Sequence, residues 1–152
     1  MNNPYHDTQS SPGKILSFPD RLHQETFVDE AGIEFLQAGE GWCETSLILS
    51  ARHLRDDGTV HSGLLSLLLE HTAELAGLTL VKPNESVRIV EIKANLLRPA
   101  RGIKLRCRSQ VVRQGSMTLG VGSEIFAHNQ RQKTLVARAL ITLSITEKPL
   151  PL

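Results

Sequence analysis

Between Ser62 and Leu80 the chain carries an apolar segment that an amphipathic pattern does not describe. Leu64, Leu65, Leu67, Leu68 and Leu69 are followed by Ala73, Leu75, Ala76 and Leu78. Wound at about 3.6 residues per turn, these side chains occupy most of the helix circumference. Such a helix has to be enclosed. Its nearly apolar stretch, Gly63 to Leu69, is too short to span a bilayer and meets Glu70 and His71 at once, so the enclosure has to be protein. Pro83 and Asn84 end the segment, and Ser62 or Gly63 opens it after the polar loop Arg55-Asp56-Asp57-Gly58.

The rest of the chain can supply the wrapping. Ile33 to Ala38 and Trp42 to Leu49, joined by Gly39-Glu40-Gly41, read as an opening hairpin. After the helix come four β-rich runs: Val87 to Leu97, Ile103 to Arg113, Met117 to Ala127 and Thr134 to Ile145. Gly102, Gln114-Gly115-Ser116 and His128-Asn129-Gln130 punctuate them. Lys104, Arg106 and Arg108 alternate with Leu105 and Cys107, which gives that strand one wet face and one dry face. Two strands, one buried helix and four more strands predict an α+β domain with an antiparallel sheet curved around the helix.

A chain of 152 residues has room for one such core, expected here over residues 27–147. Residues 1–26 are polar and rich in turn formers, as in a disordered arm, with a short helical segment around Phe18 to Phe27; residues 148–152 form a tail. The arm lacks the charged start and apolar run of a secretory signal, and Cys43 and Cys107 stand too far apart for a zinc spacing or a disulfide framework. A reducing cytoplasm and no metal are the expectation. A net charge of +1 sets up no field for nucleic acid or anionic membrane, so the expected partner is a small molecule or another protein.

His61-Ser62-Gly63, with Leu68 and Glu70 beyond it, resembles the His-Gly-Gly, Leu, Asp/Glu signature of hotdog-fold thioesterases of the phenylacetate-pathway and 4-hydroxybenzoyl-CoA type. Gly58-Thr59-Val60, Ala73 and Ala76, Asn95 to Arg101 and Ala137 extend the likeness over Ile33 to Ile145. The resemblance implies a hotdog fold, a curved antiparallel sheet wrapped around one long central helix. It implies hydrolysis of an acyl-CoA thioester, with coenzyme A entering only as part of the substrate. It further implies homodimers with intersubunit active sites, and possible tetramers built as dimers of dimers. Two positions depart from the pattern. Arg55 stands where the family usually has Asn or Gln, and Ser62 replaces the first Gly.

The chemistry suits these positions. Glu70, on the family's acid position, lies among leucines, where an unpaired carboxylate costs several kcal/mol. It can act as a base towards water or as a nucleophile towards the acyl carbon. The bland reading is a pair with His71 or a polar stripe with Glu74. Negative charge on the carbonyl oxygen needs donors, which the N–H groups of Ser62 and Gly63 provide at a helix start, with His61 orienting the loop or bonding the thioester. Arg98 and Arg101, with Lys104, Arg106, Arg108 and Arg113 beyond, form a basic concentration able to meet the phosphates of coenzyme A, and Glu74 is placed to shape the acyl pocket. Along a helix, nine residues advance about 13 Å, so His61 and Glu70 are expected to act from different subunits. A hotdog dehydratase or hydratase, and a non-catalytic acyl-CoA-binding module, are the competing readings; Ser62-Gly63 lacks the Pro-Gly context that dehydratases carry after their His.

Overall fold

In the computed structural model, which describes residues 26–148, the order of elements is the expected one. A short helix α1 (Thr26–Ala31) leads into strands β1 (Ile33–Gly39) and β2 (Trp42–Ile48). A single 3-10 turn (Ala51–His53) and a loop precede the long helix α2 (Ser62–Leu78). Strands β3 (Glu85–Leu96), β4 (Lys104–Gln114), β5 (Thr118–Asn129) and β6 (Gln132–Glu147) follow. The helix expected around Phe18 to Phe27 lies outside the described residues except at Thr26 and Phe27, which open α1.

The six strands form one antiparallel sheet in the order β1-β2-β4-β5-β6-β3. Strand β3, first after the helix in sequence, is carried to the far edge and pairs with the last strand. Register irregularities in the pairings of β1, β3, β4 and β5 bend the ladder at four places, and each added residue increases local twist. The sheet therefore curls, and α2 lies in its concave side. Leu105, Cys107, Leu119, Val121, Ile125, Ile141 and Leu143 point inward and are buried against Leu65, Leu68, Leu69 and Ala73 of the helix.

Two differences from expectation have physical causes. Helix α2 ends at Leu78 and not at Leu80, because the hydroxyl of Thr79 turns back to donate to the carbonyl of Ala76 at 2.7 Å while accepting the N–H of Gly41 at 2.7 Å. This bond ties the helix end to the β1–β2 turn. Secondly, the helix is enclosed on one side only. Leu65, Leu68, Leu69, Thr72, Ala73, Leu75, Ala76 and Gly77 are buried, whereas Ser62 and Gly63 are exposed and Leu64, Ser66, Leu67, Glu70, His71 and Glu74 are half-buried. The sheet ends at β1 and β3 without closing, so the described residues leave the opposite side of this all-round apolar helix uncovered. No helix among the described residues is long and apolar enough to cross a membrane.

Beneath α2 runs a layer of buried polar groups. Thr45 Oγ1 meets Thr72 Oγ1 at 2.7 Å, Thr72 donates to the Leu68 carbonyl at 2.6 Å, and Ser109 Oγ meets Ser123 Oγ at 2.6 Å. Each hydroxyl is satisfied by another, as burial demands. Cys43 and Cys107 are free and buried in the same layer; burial pushes the Cys107 thiol up to about 12 and moves Cys43 in the same direction, so both behave as packing groups.

Candidate active site

The loop before α2 is built around a tight turn. Leu54 and Val60 form a β-bridge, Arg55 N–H donates to the Thr59 carbonyl at 2.7 Å, and Gly58 takes φ 78°, a conformation that costs glycine little. Asp57 Oδ1 accepts both the hydroxyl of Thr59 at 2.6 Å and its N–H at 2.9 Å. These two bonds, the hydroxyl first, hold the Asp57 carboxyl below its usual range, assisted by Arg55 and Arg101.

Three contacts fix this loop to the rest of the fold. Arg101 Nη1 donates to the Asp57 carbonyl at 2.7 Å, and Val60 N–H donates to the Ala100 carbonyl at 3.0 Å. His61 N–H donates to the carbonyl of His53 at 3.1 Å. His53 is itself buried and bonded at both ring nitrogens: Nδ1 accepts the Ser50 N–H at 3.0 Å, which leaves Nε2 to donate to the Ala31 carbonyl at 3.0 Å. The backbone that delivers His61 is thus held by the carbonyl of His53, whose ring is anchored to the end of α1.

Helix α2 starts at Ser62 with His61 at the N-cap position, and His61 makes no side-chain capping bond. Leu64 N–H donates to the His61 carbonyl at 3.1 Å, and the N–H groups of Ser62 and Gly63 before it sit at the positive end of the helix dipole. Ser62 is helical, so the serine in place of glycine offers the same N–H without backbone strain. Gly63 has open space around the position where a Cβ would be. Neither packing nor backbone geometry calls for glycine there, and glycine inside a helix costs about 1 kcal/mol relative to alanine. Its lack of a side chain leaves the helix start open to close approach.

An open cleft of about 380 Å³ faces this helix start, walled by Arg55, Val60, Ser62, Leu65, Leu96, Leu97 and Arg98. His61 and Arg55 line a second opening beside it. Four expected site residues, Arg55, His61, Ser62 and Arg98, therefore come together, with Gly63 next to them in the first turn. Arg101 lies behind them, holding the loop. Arg98 also has a fixed contact, donating from Nη1 to the Leu135 carbonyl at 2.9 Å. Each guanidinium keeps further N–H groups for other partners.

Glu70 and Glu74 line neither opening. They sit two and three turns along α2, on its uncovered side. Glu70 is half-buried and has no hydrogen bond or ion pair with any other described residue. Within one chain, then, the helix start and Glu70 belong to separate places. No group of His, Cys, Asp and Glu among the described residues is arranged to hold a metal ion.

Residues 57–134, just over half of the chain, match the sequence model of the thioesterase superfamily. The chain belongs to that family. A protein of Pasteurella multocida that carries the name of an esterase is 30% identical over 124 residues, covering 82% of this chain and 87% of its own. Among solved structures, a thioesterase of Haemophilus influenzae is similar with a TM-score of 0.74 and 27% identity, covering 82% of this chain and 85% of that one. The PaaI protein from the phenylacetic acid degradation operon of Escherichia coli shares the fold, with a TM-score of 0.70 at 22% identity over 80% of this chain and 84% of that one. The hotdog architecture and the assignment as a thioester hydrolase follow from these relationships.

Two supports of the candidate site differ in how much sequence signal they carry. Asp57-Gly58-Thr59 has the composition of an Asx turn, which a close reading of the loop can find. His53 has no such mark, because its role depends on Ala31, remote in sequence, and on the backbone of Ser50.

Proposed function

We propose that this thioesterase hydrolyses a small or medium acyl-CoA thioester as a homodimer, with Glu70 of one subunit acting at the helix start of the other. The carrying observation is the split described above. An open, uncapped helix start lies in one place, and an unpartnered carboxylate lies on the uncovered side of α2 in another. The free edge of β3 supports the pairing: it is an unpaired strand edge with Val90, Leu96 and Leu97 exposed, and Leu96 and Leu97 border the cleft. A two-fold axis perpendicular to β3 at that edge would pair it with its own copy and bring a second α2 alongside the first.

In the bound complex the thioester carbonyl oxygen takes the N–H groups of Ser62 and Gly63, with His61 against the thioester. Glu70 removes a proton from water as the oxygen of that water attacks the acyl carbon, or attacks that carbon itself to form an anhydride that water then opens. Either way the C–S bond breaks and coenzyme A leaves as a thiol, after its sulfur takes up a proton. Arg98 and Arg101 use their remaining donors at the coenzyme A end, Arg55 borders the cleft in place of the family's amide, and Glu74 borders the acyl group.

Glu70→Gln should lower turnover about a hundredfold or more while leaving the fold intact. A mixing experiment tests the shared site. His61→Ala and Glu70→Ala chains, each inactive alone, are exchanged into random dimers. Half the dimers are then mixed, and each mixed dimer holds one intact site. About a quarter of wild-type activity should return. Activity that stays at the level of the separate mutants, with subunit exchange demonstrated, would refute the intersubunit site.

A further inference from the structure

The outer face of the sheet, turned away from α2, holds its cations in two ways. Towards the middle they are neutralised: Arg108 pairs with Glu44 at 2.9 Å and Arg138 pairs with Glu124. At the end next to the loop 97–103 they are not. Lys104 of β4, His128 of β5 and Lys133 of β6 stand directly opposite one another across three adjacent strands, with Arg106 in the next row. Lys104 and Lys133 thus flank the His128 ring from the two neighbouring strands. Neither Lys104, Arg106 nor Lys133 has a carboxylate within ion-pair distance among the described residues. His128 Nε2 is buried and is the one buried side-chain polar atom among them without a hydrogen-bond partner. Lys133 Nζ lies over the Phe126 ring, 4.1 Å from its centroid, and no carboxylate among the described residues reaches the row.

The row also has a position relative to the cleft. Ile103 N–H donates to the His128 carbonyl at 2.8 Å, and three residues earlier the Ala100 carbonyl accepts the N–H of Val60, next to His61. The same loop thus joins the helix start to the cationic row, and three residues span at most about 10 Å. Arg98, bonded to the carbonyl of Leu135 on β6, lies between the two.

We propose that Lys104, His128 and Lys133, with Arg106, form a binding subsite for a phosphate group at the nucleotide end of the coenzyme A thioester. The assignment of the ligand rests on the acyl-CoA reading above; the anion chemistry does not. A phosphate brings the negative charge that the row lacks and accepts charge-assisted hydrogen bonds from two ammonium groups. It also changes His128. Burial, then Lys104, Lys133 and Arg106, hold the imidazole below its usual range of about 6.5. These are the charged groups that face it from β4 and β6, and an anion among them favours the protonated ring. Binding should therefore take up a proton and tighten as pH falls towards the ordinary histidine range.

The test is a calorimetric titration of the full chain, at constant ionic strength, with coenzyme A, dephospho-coenzyme A and pantetheine, in wild type and in Lys104→Gln/Lys133→Gln. The double variant should bind coenzyme A about tenfold more weakly and pantetheine equally well. If dephospho-coenzyme A is unaffected, the bound group is the 3′-phosphate; if it weakens in parallel, the group is the diphosphate. An unchanged affinity for coenzyme A overturns the proposal, as does an equal loss for pantetheine. Turnover of acyl-pantetheine in the same variants keeps the two readings apart. A chain that hydrolyses thioesters but ignores the substitutions loses the subsite and remains a thioesterase. One that binds coenzyme A through the row but hydrolyses nothing keeps the subsite and loses the acyl-CoA hydrolase reading.

Discussion

Helix α2 contains two glycines that do opposite work. An added Cβ at Gly77 would lie 2.6 Å from Leu143 Cδ1, whereas at Gly63 it would meet nothing within 4 Å. At Gly77 the side chain is absent so that the helix can press onto the sheet. At Gly63 it is absent with no protein atom in the way. One end of the helix is shaped by the core, while at the other an added Cβ meets no described residue, and α2 passes from one condition to the other within four turns.

This contrast can be broken by substitution. The largest effect belongs to the packed part: Leu68→Ala removes a fully buried side chain and should cost about 2–5 kcal/mol in chemical denaturation. A cost under about 1 kcal/mol would mean that the core under α2 collapses to fill the void. Next, Gly77→Ala should lose about 1–3 kcal/mol despite the better helix propensity of alanine, since Leu143 must move. Gly63→Ala should run the other way, gaining up to about 1 kcal/mol in stability while turnover falls about tenfold, because the methyl obstructs approach to the first-turn N–H groups. If Gly63→Ala is as active as wild type, the opening at the helix start has no role in binding the thioester carbonyl.

The smallest effect concerns the loop that feeds the helix start. The Asp57 carboxyl is held below its ordinary value of 3.8 by Thr59, so its ionised form supports the folded loop. A depressed folded value gives a contribution that is full above the unfolded value and is lost as pH falls through the folded one. The stability gap between wild type and Asp57→Ala should be constant above about pH 4 and close below it. A gap that instead widens on acidification would remove Asp57 from this role.

Much of this was readable in the chain because the signals are local. The leucines of α2, the alternation in β4 and the glycine-bearing turns report elements by their own periodicity, and every strand start falls within two residues of the one expected. Strand β6 begins at Gln132, two residues before Thr134, because the hairpin turn is tight; His128 and Asn129, read as punctuation, pair within the ladder. The open side of α2 was not readable, since an all-round apolar helix looks the same whether its cover comes from its own chain or from a second one. Nor was the backbone bonding of Arg98 and Arg101, because the sequence shows a cation without the direction of its donors. The cationic row was seen only in part: Lys104 and Arg106 are visible on one strand, while Lys133 and His128 join them only through register.

The position of β3 at the edge beside β6 also sets an order of assembly. A ribosome releases β3 before the strand it pairs with has been made, because Gln132 follows Leu96 by more than thirty residues. At about 5–20 residues per second, that strand waits for several seconds with neither edge paired. Until then the nascent chain carries β3 with the N–H and C=O groups along both its edges unpaired. The native sheet can form only when β6 slides in between β5 and β3, so the newborn chain depends on avoiding a neighbour's strand during that interval.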